Sequence, residues 1–124
     1  MIKTIATPNA PAAIGPYSQG MVSGNMVYSS GQIPVDPATG EVVAGGIAEQ
    51  AAQSCKNVGA VRAAGGSSYE KVVKTTCFLA DMKDFAAFNK VYAEYFISSP
   101  ARSCVAVKDL PKGVLCEIEA VAEL

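Results

Sequence analysis

One stretch governs what this chain can become. From Ile47 to Ala64 apolar residues recur every three or four positions, while the apolar runs on either side are short and β-favouring. Ile47, Ala51, Cys55, Val58 and Val61 make the stripe, and Glu49, Gln50, Gln53, Lys56, Asn57 and Arg62 fall largely between them. That spacing predicts an amphipathic helix ended by Gly65-Gly66. Upstream, Lys3–Thr7 reads as a short edge strand before a loop holding Pro8, Pro11 and Pro16. Gly20-Met21-Val22 and Met26-Val27-Tyr28 flank Ser23-Gly24-Asn25, the pattern of a hairpin. Asp36-Pro37-Ala38-Thr39-Gly40 is a turn, because Pro presets φ and Gly accepts positive φ. Downstream, Val72–Leu79 predicts a strand, and Asp84 is placed to cap a second helix. Phe85, Phe88, Tyr92 and Tyr95 form one aromatic stripe on that helix, which reads as core. Ser103–Lys108 and Val114–Glu123 close the chain as two strands. The order predicts an α+β fold: a mixed β-sheet with two helices packed on one face.

At 124 residues, half of them apolar, the chain suits one domain spanning 1–124. Ten Lys and Arg against eleven Asp and Glu give a net charge of −1, so there is no basic surplus to draw in nucleic acid. No apolar run approaches the ~18 residues that cross a bilayer, and the start lacks the apolar stretch of a secretory signal. The expectation is a soluble, cytoplasmic protein with no membrane partner. Cys55, Cys77, Cys104 and Cys116 are widely spaced, with no C-x-x-C pair, and are expected as free, reduced thiols. Histidine is absent, which removes His-based triads and the commonest zinc ligand; no metal site is expected.

The reactive groups left are carboxylates, Arg, Tyr, Lys and thiols. Arg102, in Pro100-Ala101-Arg102-Ser103-Cys104-Val105, opens a strand where a loop meets the sheet. A guanidinium there could hold a carboxylate through two parallel hydrogen bonds; from the residues alone a surface salt bridge is the better reading. Glu117 and Glu119 alternate with Cys116, Ile118 and Ala120, so period two sets both carboxylates on one face of the last strand. A solvated sheet face explains that pattern; partial burial would instead raise a carboxylate pKa and make a general base. Cys104 near Arg102 is a conceivable thiolate, and Lys74 or Lys108 a conceivable Schiff-base lysine, each without a supporting signature. No Gly-rich loop is followed by Lys-Ser or Lys-Thr.

Five motifs occur in order. They are Ala13-Ile14-Gly15-Pro16-Tyr17-Ser18-Gln19, Ser30-Gly31-Gln32-Ile33, Val72-Val73-Lys74-Thr75-Thr76, Pro100-Ala101-Arg102-Ser103 and Glu117-Ile118-Glu119-Ala120-Val121-Ala122. Across almost the whole chain the sequence resembles the RidA family (reactive intermediate deaminase A, also called YjgF). The resemblance implies a chorismate-mutase-like fold and a homotrimer with a cleft at each subunit interface. It implies hydrolysis of 2-imino acids, such as 2-iminopropanoate and 2-iminobutanoate, to 2-oxo acids and ammonia. Such imines form when pyridoxal-phosphate dehydratases release enamines from serine or threonine. The resemblance implies no cofactor and no metal. Carried over by motif, Arg102 would clamp the substrate carboxylate, Glu117 would activate water, and Tyr17 would line the cleft. Ser30, Gly31, Asn89 and the backbone at Cys104 would contact or shape the bound acid. Two positions depart from the family pattern. The loop Ile97-Ser98-Ser99 is short and lacks the usual Phe before Pro-Ala-Arg, and Cys116 replaces an aliphatic residue. Two other activities attributed to relatives, a protein-binding holdase role and ribonuclease-type inhibition of translation, stand as alternatives; the acidic balance argues against the second.

Overall fold

A computed structural model describes residues 1–124. Eight elements follow in order: β1 (Ile2–Ile5), β2 (Gly20–Ser23), β3 (Met26–Ser29), α1 (Ile47–Ala64), β4 (Val72–Leu79), α2 (Phe85–Tyr95), β5 (Ala101–Ala106) and β6 (Cys116–Glu123). The strands form one six-stranded mixed sheet in the order β1-β2-β3-β6-β4-β5, in which only β4 and β5 run parallel. That pair is joined through α2, as a parallel connection requires. The α+β architecture is therefore as the pattern predicts. No helix is long and apolar enough to cross a membrane.

α1 and β4 begin and end where the sequence places them, because both are bounded by strong stops. Gly65 continues the helical turn and Gly66 then takes φ +94°, which reverses the chain. Several strand boundaries differ: β1 is Ile2–Ile5 rather than Lys3–Thr7, and β5 ends at Ala106 rather than Lys108. β5 starts at Ala101 rather than Ser103, so Arg102 lies inside the strand. β6 starts at Cys116, because Pro111–Gly113 form a 3₁₀ turn with Lys112 at φ +57° and Gly113 at φ +65°. The expected Asp84 cap is also corrected. The chain enters α2 through a 3₁₀ turn, Met82–Asp84, leaving Asp84 already near-helical (φ −86°, ψ 0°) with no capping hydrogen bond. An N-cap needs extended backbone to reach back to the first turn, and Asp81 has it, accepting from Lys83 N at 2.8 Å.

One face of the sheet carries both helices. Ala51, Cys55, Val58 and Val61 of α1 are buried there, against Val27, Cys77, Leu79, Cys116, Ile118 and Ala120 of the strands. The aromatic stripe of α2 is core, as expected: Phe88 and Tyr92 are buried, and Tyr92 stacks on Phe96 at 4.5 Å. All four cysteines are free thiols; Cys55, Cys77 and Cys116 are buried and Cys104 is half-buried. Cys116, the departure in the last strand, sits in this core with its sulfur 3.7 Å from Ser54 Oγ.

α1 is less simply amphipathic than its sequence suggests. Gln50, Asn57 and Arg62 are buried too. Gln50 Oε1 accepts from Leu115 N at 2.8 Å. Asn57 Nδ2 donates to Ile33 O (3.1 Å) and Val35 O (2.9 Å), while its Oδ1 accepts from Gln53. Arg62 lies 4.2 Å over the Tyr69 ring and donates to Ser67 O. These side chains satisfy backbone groups of loops that have no ladder partner. Asn57 thereby fixes the segment after β3, where Gln32 also exchanges two backbone hydrogen bonds with Ile118 (2.7 and 3.1 Å).

Candidate active site

β6 alternates buried and half-buried residues, so Cys116, Ile118 and Ala120 face the helices while Glu117, Glu119 and Val121 face away. The Gln32–Ile118 bridge brings Gly31 alongside Glu117. A Cβ on Gly31 would overlap the Glu117 carboxylate, so glycine leaves that carboxylate room to lie where it does. Glu117 and Glu119 border a cleft of about 500 Å³ that is also lined by Ile14, Tyr17, Ser30 and Gly31. A smaller chamber of about 150 Å³ shares Ile14, Tyr17 and Gly31 with it. Burial pushes the Glu117 carboxyl above the usual carboxylate range, and the nearby negative charge of Glu119 pushes it the same way. A carboxylate held so is a better proton acceptor than a solvated one.

Ser30 donates from Oγ to Ser18 O and from N to Gln19 O (2.8 Å), tying the end of β3 to the loop that carries Tyr17. Tyr17 is about half exposed, and its Oη accepts from Ile14 N at 3.3 Å. The early loop and the strand ends thus bring four of the expected residues, Tyr17, Ser30, Gly31 and Glu117, to one cleft.

The other three expected residues lie elsewhere. Arg102 pairs in register with Thr75, which is buried beneath the helices, whereas Glu117 pairs with Phe78 on the opposite face. Arg102 therefore belongs to the helix-bearing face. There its Nη1 donates to Asn89 Oδ1 at 2.8 Å, and its guanidinium lies 4.8 Å from the Tyr92 ring centroid. Asn89 and Arg102 line a separate hollow of about 520 Å³ with Tyr92, Phe96, Ser99 and Pro100. The shortened loop before Pro100 forms part of its rim; it turns through Ser99 at φ +50° and is held by Ser98 Oγ on Val72 O at 2.8 Å. Asn89 thus acts on Arg102 directly, a role the sequence alone did not suggest. Cys104 shares the face of Arg102, in register with Cys77. Burial raises its thiol pKa and the Arg102 charge only partly opposes this, so Cys104 is not an activated thiolate. Lys74 and Lys108 are exposed and line none of these hollows. No group of three or more Cys, Asp or Glu side chains is arranged to hold a metal ion.

Within one chain, then, a carboxylate cleft and a guanidinium hollow sit on opposite faces of the same sheet. A model of the endoribonuclease L-PSP family matches residues 7–124 of this chain. The chain belongs to that family, which is the RidA family of the motif resemblance. Among its RidA relatives, the Escherichia coli K12 protein named 2-iminobutanoate/2-iminopropanoate deaminase is 56% identical over 98% of both chains. The human protein of the same name is 50% identical over 97% of this chain and 88% of its own. Among solved structures, E. coli TdcF with bound serine superposes with a TM-score of 0.94 at 48% identity, covering 98% of each chain.

Proposed function

We propose that this RidA-family chain hydrolyses 2-imino acids, 2-iminopropanoate and 2-iminobutanoate among them, to 2-oxo acids and ammonia. The observation that carries this reading is the 56% identity, over 98% of both chains, to a protein named for that reaction. Three features of the geometry agree with it. Arg102 is held ready by Asn89 and Tyr92, with guanidinium donors left for a carboxylate. Glu117 is a carboxylate of raised proton affinity in a cleft. Tyr17 supplies a phenol beside it.

Arg102 binds the substrate carboxylate, and Glu117 takes a proton from water as its oxygen bonds to C2. The protonated imine nitrogen takes the electron pair of the carbon–nitrogen double bond, giving a neutral 2-amino-2-hydroxy acid. Glu117 returns the proton to nitrogen, the carbon–nitrogen bond breaks as the hydroxyl gives its own proton to the freed Glu117 carboxylate, and ammonia leaves as C2 becomes a ketone. Ser30, Gly31 and the Cys104 backbone shape the site around the acid. The steps use water, the substrate and side chains of copies of this chain.

This reading requires Arg102 and Glu117 to meet, and opposite faces of one sheet cannot bring them together. The site is accordingly shared between copies, with Tyr17 and Glu117 from one and Arg102 and Asn89 from its neighbour, in a closed homotrimer. The helix-free sheet face, where Tyr28 and Val105 are each more than two-fifths exposed, supplies apolar surface for such contacts.

The test is 2-oxo acid and ammonia release during dehydratase turnover of serine or threonine, with and without this protein. No acceleration at any protein concentration would refute the reading. The family description points to RNA cleavage as a second activity. Two carboxylates lining the cleft and a net charge of −1 repel a phosphate backbone, so no RNA cleavage is expected in parallel assays.

A further inference from the structure

Residues 6–19 connect β1 to β2 without a helix or strand, and they carry Tyr17 into the cleft. Pro8, Pro11 and Pro16 remove three backbone donors from this loop. Its backbone makes one hydrogen bond of its own, Tyr17 N to Gly15 O at 2.8 Å. Two more, Asn9 N to Thr7 Oγ1 and Ile14 N to Tyr17 Oη, stay within the loop.

The bonds that tie residues 7–16 to the rest of the molecule end on one side chain. Gln19 Oε1 accepts from Thr7 N at 2.6 Å. Gln19 Nε2 shares its two protons among Thr7 O (3.0 Å), Ala10 O (3.1 Å) and Pro11 O (2.8 Å). Gln19 is buried, and its own backbone carbonyl accepts from Ser30 N, beside Gly31.

We infer that Gln19 is a positioning residue: its buried amide folds the proline-rich loop onto the end of the β2–β3 hairpin and so sets Tyr17 against Gly31 and Glu117. The inference rests on the imine-hydrolase reading for its assay and adds to it a residue that does not line the carboxylate cleft itself. The chemistry needs an amide in particular. One end must accept from an N–H while the other offers protons to carbonyls, and glutamate or leucine meets only half of that demand or none. A phenol displaced by an ångström loses its alignment with the reacting atoms, so a loop anchor acts on turnover rather than on core stability.

The experiment is a double-mutant cycle of Gln19→Leu and Tyr17→Phe, read as kcat and KM per mole of folded protein. Gln19→Leu is expected to lower kcat by about the same factor as Tyr17→Phe, on the order of tenfold to a hundredfold. The double variant should be little slower than either single one, because a misplaced phenol and an absent phenol are the same loss. Limited proteolysis should show new cleavage within residues 7–16 in Gln19→Leu, with protection of β4 and β6 unchanged. Should Gln19→Leu not fold, Gln19→Glu carries the same test, since it keeps the acceptor for Thr7 N and sets a carboxylate against three carbonyls. Wild-type kcat in the Gln19 variants, or penalties that multiply in the double variant, would overturn the inference. Failure of the functional reading looks different: wild-type protein would then release no 2-oxo acid at all.

Discussion

A guanidinium on an edge strand ordinarily moves freely in water, which is why a lone Arg in a sequence reads as a surface charge more readily than as a clamp. Arg102 is restrained by Asn89 Oδ1 at one nitrogen and by the Tyr92 and Phe85 rings near its plane. Arg102→Ala should lower kcat/KM at least about 100-fold, because affinity for the carboxylate and alignment of C2 are lost together. Arg102→Lys should be nearly as slow, since an ammonium cannot make the planar two-bond contact. A rate close to wild type in either variant would place the carboxylate elsewhere.

Glu117 gives a sharper test because its proton affinity has two named causes. In its proposed role as general base it acts deprotonated, so activity should rise with pH through its elevated pKa. Glu117→Gln should lower kcat by about 10²–10⁴ with little change in KM. Glu119→Gln removes the repelling charge but not the burial. Its acid limb should therefore move to lower pH while its rate on the plateau stays much nearer wild type. Stability moves in the opposite sense to activity. A carboxyl with a raised native pKa binds more protons folded than unfolded, so its contribution is full below the unfolded pKa and is lost as pH rises. Glu117→Gln should then melt higher than wild type at pH 7 and not at pH 3, a comparison that calorimetry reads directly. Equal melting temperatures at pH 7 would mean that the carboxylate is not strained by its site.

At the scale of elements, α1 shows how far periodicity reaches. Its limits and its apolar stripe were legible because a 3.6-residue repeat and a Gly-Gly stop are local signals. The burial of Gln50, Asn57 and Arg62 was not legible, because the groups they serve lie in loops 5 to 65 residues away. The same limit applies at the site. Glu117 and Glu119 could be set on one strand face from the sequence, but the close approach of Gly31 depends on a bridge between Gln32 and Ile118. Gln19 stands inside a motif that identified the family, yet only its four hydrogen bonds reveal what it does. Asn57→Ala should lower the folding free energy by about 1–3 kcal/mol, because it strips the Ile33 and Val35 carbonyls of a buried donor. Urea unfolding checks the figure. Turnover should fall as well, since those carbonyls belong to the segment that holds Gly31 beside Glu117.

For the whole molecule, the placement of Arg102 and Glu117 on opposite faces turns the question of assembly into one of catalysis. Arg102→Ala and Glu117→Gln chains should each be inactive alone. Unfolded together in equal amounts and refolded, they should regain activity. A cleft that takes Glu117 from an Arg102→Ala chain and Arg102 from a Glu117→Gln chain is intact in both residues. With random assembly and each cleft shared by two different copies, about a quarter of the clefts are whole, so about a quarter of wild-type activity should return. Refolding either variant by itself, or mixing the two already folded and below their exchange rate, should return nothing. Mixed chains that stay inactive while sedimenting as the proposed trimer would show that each site draws both residues from one copy, against the sheet register seen here. Mixed chains that sediment as monomers would remove the shared cleft altogether.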